Sequence, residues 1–269
     1  MNVAVAILIV LGAGAAAALA LALIQRRASA ALLVDSGRGR PVITVTGTLV
    51  AVVLAFVILA AFQTYNGAKE GAQTEASAVL DMTRFAAFFP SAQRDQLQGD
   101  FVCYGRAVVN QEWPAMRHGQ SSPLVDHWIG AALVVFGRLD LHSPRERLAF
   151  QELLNQAATR TTGRQQRLSE DTPTVPTPLW IALIFGCCAA VALQLGMADP
   201  RERLRVHGLL LAGLASVVAA SLLIVYFLDH PYQPHSGGIE PNAMRHTLAE
   251  VQGLTPNLRT PCGPAGQPL

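Results

Sequence analysis

Four stretches of this chain, about Val3 to Ile24, Val42 to Phe62, Leu179 to Met197 and Leu209 to Leu228, contain no Asp, Glu, Lys or Arg. Each is close to the roughly 20 apolar residues needed to cross the hydrocarbon of a bilayer. Backbone N–H and C=O groups find no water there and must be satisfied internally, so all four are read as helices. Of the 269 residues, 51% are hydrophobic and only 14% charged, which argues against an ordinary globular protein. A mean hydropathy of +0.34 is nevertheless low for a chain that is all membrane, so a sizeable polar part is expected too. The first stretch has nothing basic before it and is followed by Arg26 and Arg27, the reverse of a cleaved signal peptide. It is read as a retained span.

The distribution of charge sets an orientation. The loop from Gln25 to Arg40 carries Arg26, Arg27, Arg38 and Arg40 against Asp35. The loop after the third span carries Arg201, Arg203 and Arg205 against Asp199 and Glu202. With four spans both loops share one side, and the excess of arginine places that side in the cytoplasm. The N-terminus, the long segment from Asn66 to Thr177 and the C-terminal tail are then expected outside the cell membrane. That long segment is close to charge-balanced, so no nucleic-acid partner is expected. Cys187 and Cys188 fall within the third span, where small apolar packing is the ordinary role. Cys103 and Cys262 fall on the outer side, where an oxidising compartment permits a bridge, although two cysteines do not establish one.

The expected fold class is an all-α membrane protein, with a helical domain inserted between the second and third of four transmembrane helices. The segments are a first transmembrane pair at 1–65, an extramembrane helical domain at 66–177, a second pair at 178–229 and a Pro/Gly-rich tail at 230–269. Pro41 suits the first turn of the second helix, and no proline follows until Pro90. A helix of almost that whole length spans about 70 Å at 1.5 Å per residue, more than the hydrocarbon needs. Gly67 and Gly71, with Ala68, Ala72 and Ala76, give it a small-residue face that lets another backbone approach. Ser91 is a candidate N-cap for a helix ending near Glu112 before Pro114. Residues 118–123 (HGQSSP) read as a loop, and Leu124 to Leu139 as a helix. Ser143-Pro144-Arg145-Glu146 is a capping box with proline at N1, opening a helix to about Arg167. A polar linker, Ser169 to Thr177, leads into the third span. The tail holds one short helix near Pro241 to Val251, and from Pro256 onward it is expected to be disordered or held by a partner. No alternating strand pattern appears.

The stretch FLDHPYQPHSGG, residues 227 to 238, contains His230 and His235 near Asp229 and Glu240. That is material for a metal site, but the spacing is not diagnostic, and interfacial loops are commonly rich in Pro, Tyr and His. No nucleophile elbow, zinc-protease, P-loop or CxxC pattern is present, so no enzyme, catalytic residue, metal or cofactor is expected. The second span is more informative. At 100° per residue, Thr44, Thr48, Ala51, Ala55, Leu59, Phe62 and Asn66 fall on one narrow face. Around an axis of several copies this face would line a pore, narrowed by apolar Leu59 and Phe62 that gate by dewetting. Packing of the small residues against another span of the same chain is the competing explanation. No span holds an ionisable residue, which argues against a proton pump or coupled transporter.

Several segments together carry a resemblance. Phe62-Gln63-Thr64-Tyr65 leads into a helix with Glu75 and Ala76. Glu112-Trp113-Pro114-Ala115-Met116 follows a helix with Tyr104. Arg147-Leu148 and Leu179-Trp180 come next, and Leu228-Asp229-His230-Pro231-Tyr232 leaves the fourth span, with Pro241 and Met244 beyond. This order, from about Val42 to Met244, resembles the bestrophin-like family of bacterial membrane proteins. In similar sequences the exit reads Leu-Asp-Arg-Pro-aromatic, so His230 stands where arginine is common, and Asp229 to Tyr232 reads as an exit motif rather than a metal site. Bestrophins are pentameric anion channels, for chloride among others, whose second span lines the pore through a hydrophobic neck. The resemblance therefore implies an oligomeric ion channel. Two features depart from it. No acidic calcium clasp follows the fourth span, and bestrophins keep their large helical region in the cytoplasm, whereas the arginines here place it outside. The alternative expectation is a non-conducting accessory or scaffold subunit of a membrane-protein complex, binding through the extracytoplasmic helical domain.

Overall fold

The computed structural model describes residues 3–27, 36–169, 175–196, 204–235 and 237–269, with backbone alone at 25–27, 36–40, 42 and 204. The elements are α1 (Val3–Arg27), α2 (Ser36–Ala86), α3 (Ser91–Ala107), a π-helical segment (Val108–Glu112), α4 (Trp113–Met116), α5 (Pro123–Phe136), α6 (Pro144–Ser169), α7 (Thr177–Gly196), α8 (Leu204–Asp229) and α9 (Asn242–Leu254). Among the described residues the fold is all-helical, apart from one isolated antiparallel bridge between Cys262 and Pro268. Helices α1, α2, α7 and α8 are each long and apolar enough to cross a membrane. The side chains of Arg26, Arg27, Arg38, Arg40, Arg201 and Arg203, which carry the orientation argument, lie outside the described residues, as does most of the linker before α7. Two compact units divide the chain. One comprises Met1–Thr64, Pro173–His230 and Pro234–Gly237, and the other Tyr65–Thr172, Pro231–Gln233 and Gly238–Leu269.

In the first unit, here the span unit, small residues decide which helices touch. Ala17 and Leu21 of α1 bury against Leu211 and Ala215 of α8. A Cβ on Gly14 would lie only 2.5 Å from Ser216 Oγ, and that hydroxyl donates to the Val10 carbonyl at 3.2 Å. Glycine at the crossing and a hydroxyl bridging it are the means by which helices associate where lipid removes the hydrophobic drive. Leu54 and Val57 of α2 pack with Leu183 of α7 and Val225 of α8. The rest of the surface is apolar and open, with Phe185 at 74% and Leu209 at 75% exposure. Such a surface suits hydrocarbon and not water.

The second, helical unit has its own core, including Phe101, Tyr104, Trp113, Met116, Trp128, Phe136 and Leu153. The small face of α2 is used here: Ala68, Ala72 and Ala76 are buried, and α6 lies against it. A Cβ on Gly163 would meet the Glu75 backbone nitrogen at 2.6 Å, and one on Gly71 the Arg167 nitrogen at 2.8 Å. Only a glycine on each side lets the two backbones come so near. The capping box forms as its residues dictate. Ser143 Oγ accepts from the Glu146 N–H at 3.1 Å, and Glu146 Oε2 accepts from the Ser143 N–H at 2.9 Å. Those backbone bonds hold the Glu146 carboxyl below its ordinary pKa.

Three local expectations are corrected. Ser91 is the first residue of α3 rather than its cap, and Pro90 precedes it in extended geometry. Pro114 does not follow a helix end. The helix widens through Val108–Glu112, where the Trp113 N–H reaches back five residues to the Val108 carbonyl, and Pro114 sits within the next turn. A proline ring clashes with the carbonyl four residues before it, and a π-bulge is a way to relieve that. The end of the chain is ordered rather than free. Cys262 is bonded to Cys103 of α3, Arg106 Nη1 donates to Thr260 Oγ1 at 3.0 Å, and Trp128 Nε1 donates to the Gly266 carbonyl at 2.7 Å. The tail has too few apolar residues to look like core, but it offers carbonyls to buried donors that sequence cannot pair.

Alkylation of denatured, unreduced protein should modify Cys187 and Cys188 alone, and prior reduction should expose all four cysteines. Cys262→Ser should lower the stability of the helical unit by about 2–4 kcal/mol. It should also open the chain beyond Leu254 to limited proteolysis.

Candidate functional site

Two groups of residues are candidates, one in each unit. In the span unit the six residues Thr44, Thr48, Ala51, Ala55, Leu59 and Phe62 of α2 are all exposed. The side of α2 that the chain itself covers is Leu54, Val57 and Ala61. Among the described residues the small and polar stripe is therefore not buried against another helix. Leu59 and Phe62 are 52% and 48% exposed. The Thr48 hydroxyl donates to the Thr44 carbonyl at 2.8 Å, the back-bonding that satisfies threonine on an open helix face. Asn66, the last residue of the proposed stripe, is part of the helical unit and half-buried.

The exit motif serves two structural purposes. Asp229 is buried, its Oδ1 accepting the Val175 N–H at 2.9 Å and its Oδ2 facing Trp180 Nε1 at 3.5 Å. A carboxylate thus receives donors at the start of α7, where helix N–H groups lack partners. His230 stacks on Tyr226 at 4.5 Å, its Nδ1 3.0 Å from the Tyr226 carbonyl, and His235 Nε2 lies 2.8 Å from the His230 carbonyl. The two imidazoles are thus engaged with backbone and rings, and among the described residues no group of His, Cys, Asp and Glu is placed to hold a metal. In the helical unit the Tyr232 hydroxyl donates to the Arg167 carbonyl at 3.1 Å, and its ring meets Trp113 edge-on at 5.6 Å. Pro231 contributes its carbonyl, which accepts the Ile239 N–H at 2.7 Å.

Glu112 and Trp113 belong to a buried charge network that the sequence did not disclose, whereas Pro114 beside them is exposed. Arg167 is fully buried on α6. Its Nε and Nη2 donate to the two oxygens of Glu75 on α2 at 2.6 and 3.0 Å. Nη2 also reaches Glu112 Oε2 at 2.5 Å, Nη1 lies 2.7 Å from Met116 Sδ, and the guanidinium sits 5.1 Å from the Trp113 ring. Arg164, one turn earlier, grips Glu112 Oε1 at 2.6 Å and Asp126 at 2.5 Å. Tyr104 of α3 donates its hydroxyl proton to Glu75 and accepts from Arg160 Nη1 at 3.3 Å. The missed signal is the spacing Arg160, Arg164, Arg167, which is i, i+4, i+7 and so one face of α6. That face reads as solvated until its carboxylate partners are known.

The protonation states follow from the geometry. Burial opposes ionisation of Glu112, but the bonds and charges of Arg164 and Arg167 outweigh it and hold its carboxyl below the ordinary value. Burial, reinforced by Glu75, pushes the Tyr104 phenol well above its usual range, so it stays a donor. Burial works against the Arg167 charge, and Glu75 and Glu112 reverse that and raise its pKa. The network brings buried groups of both charges into direct contact. It fastens α2, α3, the π segment and α6 to one another.

Glu112→Gln should cost about 3–5 kcal/mol at pH 7, because it leaves buried guanidinium charge uncompensated. A depressed carboxyl pKa contributes stability above the unfolded-state value, 4.5 for Glu112, and loses it as pH falls through the lower folded value. Denaturant unfolding of wild type and variant should therefore converge as pH drops below about 4.5.

Comparison with known proteins places this architecture. The bestrophin-like domain matches residues 7–236. No curated protein sequence matches the chain. Among solved structures, a bacterial bestrophin homologue from Klebsiella pneumoniae carrying a tryptophan-to-alanine substitution superposes with a TM-score of 0.70 at 14% identity. The match covers 93% of this chain and 97% of that one. A membrane protein with a leucine-to-alanine substitution gives 0.70 at 12% identity over 90% and 97% of the two chains. Another, with a glycine-to-alanine substitution, gives 0.67 at 12% identity over 99% and 100%. At such identities the superpositions speak for the fold alone. With the domain match spanning most of its length, this all-helical membrane protein belongs to the bestrophin-like family.

Proposed function

We propose that the protein is a homo-oligomeric channel for small anions in the cell membrane, with α2 of each copy lining the permeation path. The observation that carries this reading is the open stripe on α2. Thr44, Thr48, Ala51 and Ala55 present small and hydroxyl-bearing side chains on a face that is exposed among the described residues, and Leu59 and Phe62 follow on it. Around a symmetry axis these two would form an apolar neck that passes a partly dehydrated anion and excludes water when closed. Membership of the bestrophin-like family supports the same reading. No catalytic role is assigned to any residue, and the bilayer and further copies of the chain are the partners.

The helical unit, inserted between the second and third spans, and the C-terminal tail are assigned to the extracytoplasmic side. Two independent features support this orientation. Arginine is concentrated in the loops on the opposite side. The Cys103–Cys262 disulfide belongs to an oxidising compartment and would not persist in a reducing cytoplasm. A second reading, a non-conducting accessory subunit, draws on exposed apolar side chains of the helical unit, Leu133, Val134 and Leu148, which could seat another protein.

Two measurements separate these readings, and a third tests the orientation. The mass of the solubilised particle should correspond to a symmetric assembly of this chain alone; a single copy within a complex of other proteins would favour the accessory role. In reconstituted vesicles Phe62→Glu should cut anion flux about tenfold, equivalent to about 1.4 kcal/mol on the barrier, and unchanged flux would remove Phe62 from the path. A cysteine placed at Gln120 should react with an impermeant thiol reagent on whole cells, and protection would reverse the orientation.

A further inference from the structure

The helical unit contains a cavity of about 210 Å³ that the channel reading does not use. Its walls are mostly apolar, from Met82 of α2, Ile129, Leu133 and Phe136 of α5, and Ala157 of α6. Arg160 and Thr161 complete it. Arg160 is 94% buried, being only 6% exposed. A guanidinium cannot shed its proton, so burial cannot be relieved by neutralisation as it can for lysine.

The partners of Arg160 do not balance its charge. Nη1 donates to the Tyr104 hydroxyl at 3.3 Å, Nη2 to Thr161 Oγ1 at 2.8 Å, and the Tyr104 ring lies 5.2 Å away. All of these are neutral groups. Nε is buried with no acceptor. The nearby carboxylates are committed elsewhere: Glu75 to Arg167 and Tyr104, Glu112 to Arg164, Arg167 and the Ser122 N–H, Asp126 to Arg164. Among the described residues Arg160 thus has no carboxylate partner, and a buried cation without one is costly.

We propose that this cavity is a binding site for a small apolar monocarboxylate, whose carboxylate pairs with Arg160 while its hydrocarbon part lies against Leu133, Phe136 and Met82. The volume is that of about seven liquid waters at ~30 Å³ each, which sets the size at a short aliphatic or single-ring acid rather than a lipid. An inorganic anion would satisfy the charge but leave the apolar walls wet. A neutral hydrocarbon would fill the walls but leave the guanidinium unpaired. Only a molecule with both parts answers both features.

Hexanoate is the probe, titrated calorimetrically into the full-length protein in lipid nanodiscs, with empty nanodiscs as the blank and 1-hexanol and hexylammonium as controls. Saturable binding of hexanoate, at least about tenfold tighter than hexanol and absent for hexylammonium, is the expected result. Arg160→Met should remove that preference and leave hexanoate no better than hexanol. Ala157→Leu keeps the charge but fills the cavity, and should abolish binding with the fold intact by circular dichroism. Equal binding of hexanoate and hexanol to the wild type would overturn the proposal in favour of an apolar groove. So would binding unchanged in Arg160→Met. No binding to the folded wild type, or binding only once the oligomer is dissociated, would overturn it as well, the latter assigning the cavity to a neighbouring copy.

Discussion

Arg167 is charged at every pH a protein meets and has no contact with water, so everything around it must answer that charge. Glu75 and Glu112 supply the counter-ions, the Trp113 ring takes one face, and the Tyr232 hydroxyl closes over its backbone carbonyl. A salt bridge so deeply buried is weak as a source of net stability, since desolvating each ion costs several kcal/mol. It is strong as a selector of arrangement, because any packing that separates the partners leaves a bare charge in the core. The helical unit consequently has little freedom in how α2, α3, α6 and the bulged turn between α3 and α4 are set together.

That arrangement depends on two glycines. Gly71 and Gly163 let the backbones of α2 and α6 come so near that either Cβ would collide. The approach shortens the distance Arg167 must bridge and lets it make a two-pronged pair with Glu75. The π-helical segment has a comparable effect on the other side. By carrying an extra residue per turn it accommodates Pro114 and directs Glu112 inward to the same guanidinium. Sterics of residues without side chains, and of one without an N–H, therefore place the charges.

The spans were legible because hydrocarbon imposes a length and forbids charge, two properties visible in any sequence. The capping box was legible for a similar reason: its bonds run between Ser143 and Glu146, three residues apart. Apart from the Cys103–Cys262 bridge, which the placement of the cysteines permits, what could not be read was set by distant pairing. Arg160, Arg164 and Arg167 look like a solvated stripe until Glu75, 92 residues from Arg167, is known to meet it. The tail looked loose because proline and glycine dominate it, yet it supplies carbonyl groups to Trp128 and Arg106 from more than a hundred residues away. Pro114 reads as a boundary because a proline usually stops a helix, and sequence does not show that a widened turn accommodates it while Glu112 meets Arg167.

The Cys103–Cys262 bond has a consequence of connectivity. Its two ends are 159 residues apart, and everything between them, including α7 and α8, lies within a single covalent ring. A break anywhere in that ring, in the linker before α7 or the loop after it, leaves the pieces joined as one molecule. The ring also cannot close until Cys262, which follows α8 in the chain, has been made. Both of its spans must therefore be threaded before the molecule is sealed, which makes closure a seal on finished insertion rather than a guide to it.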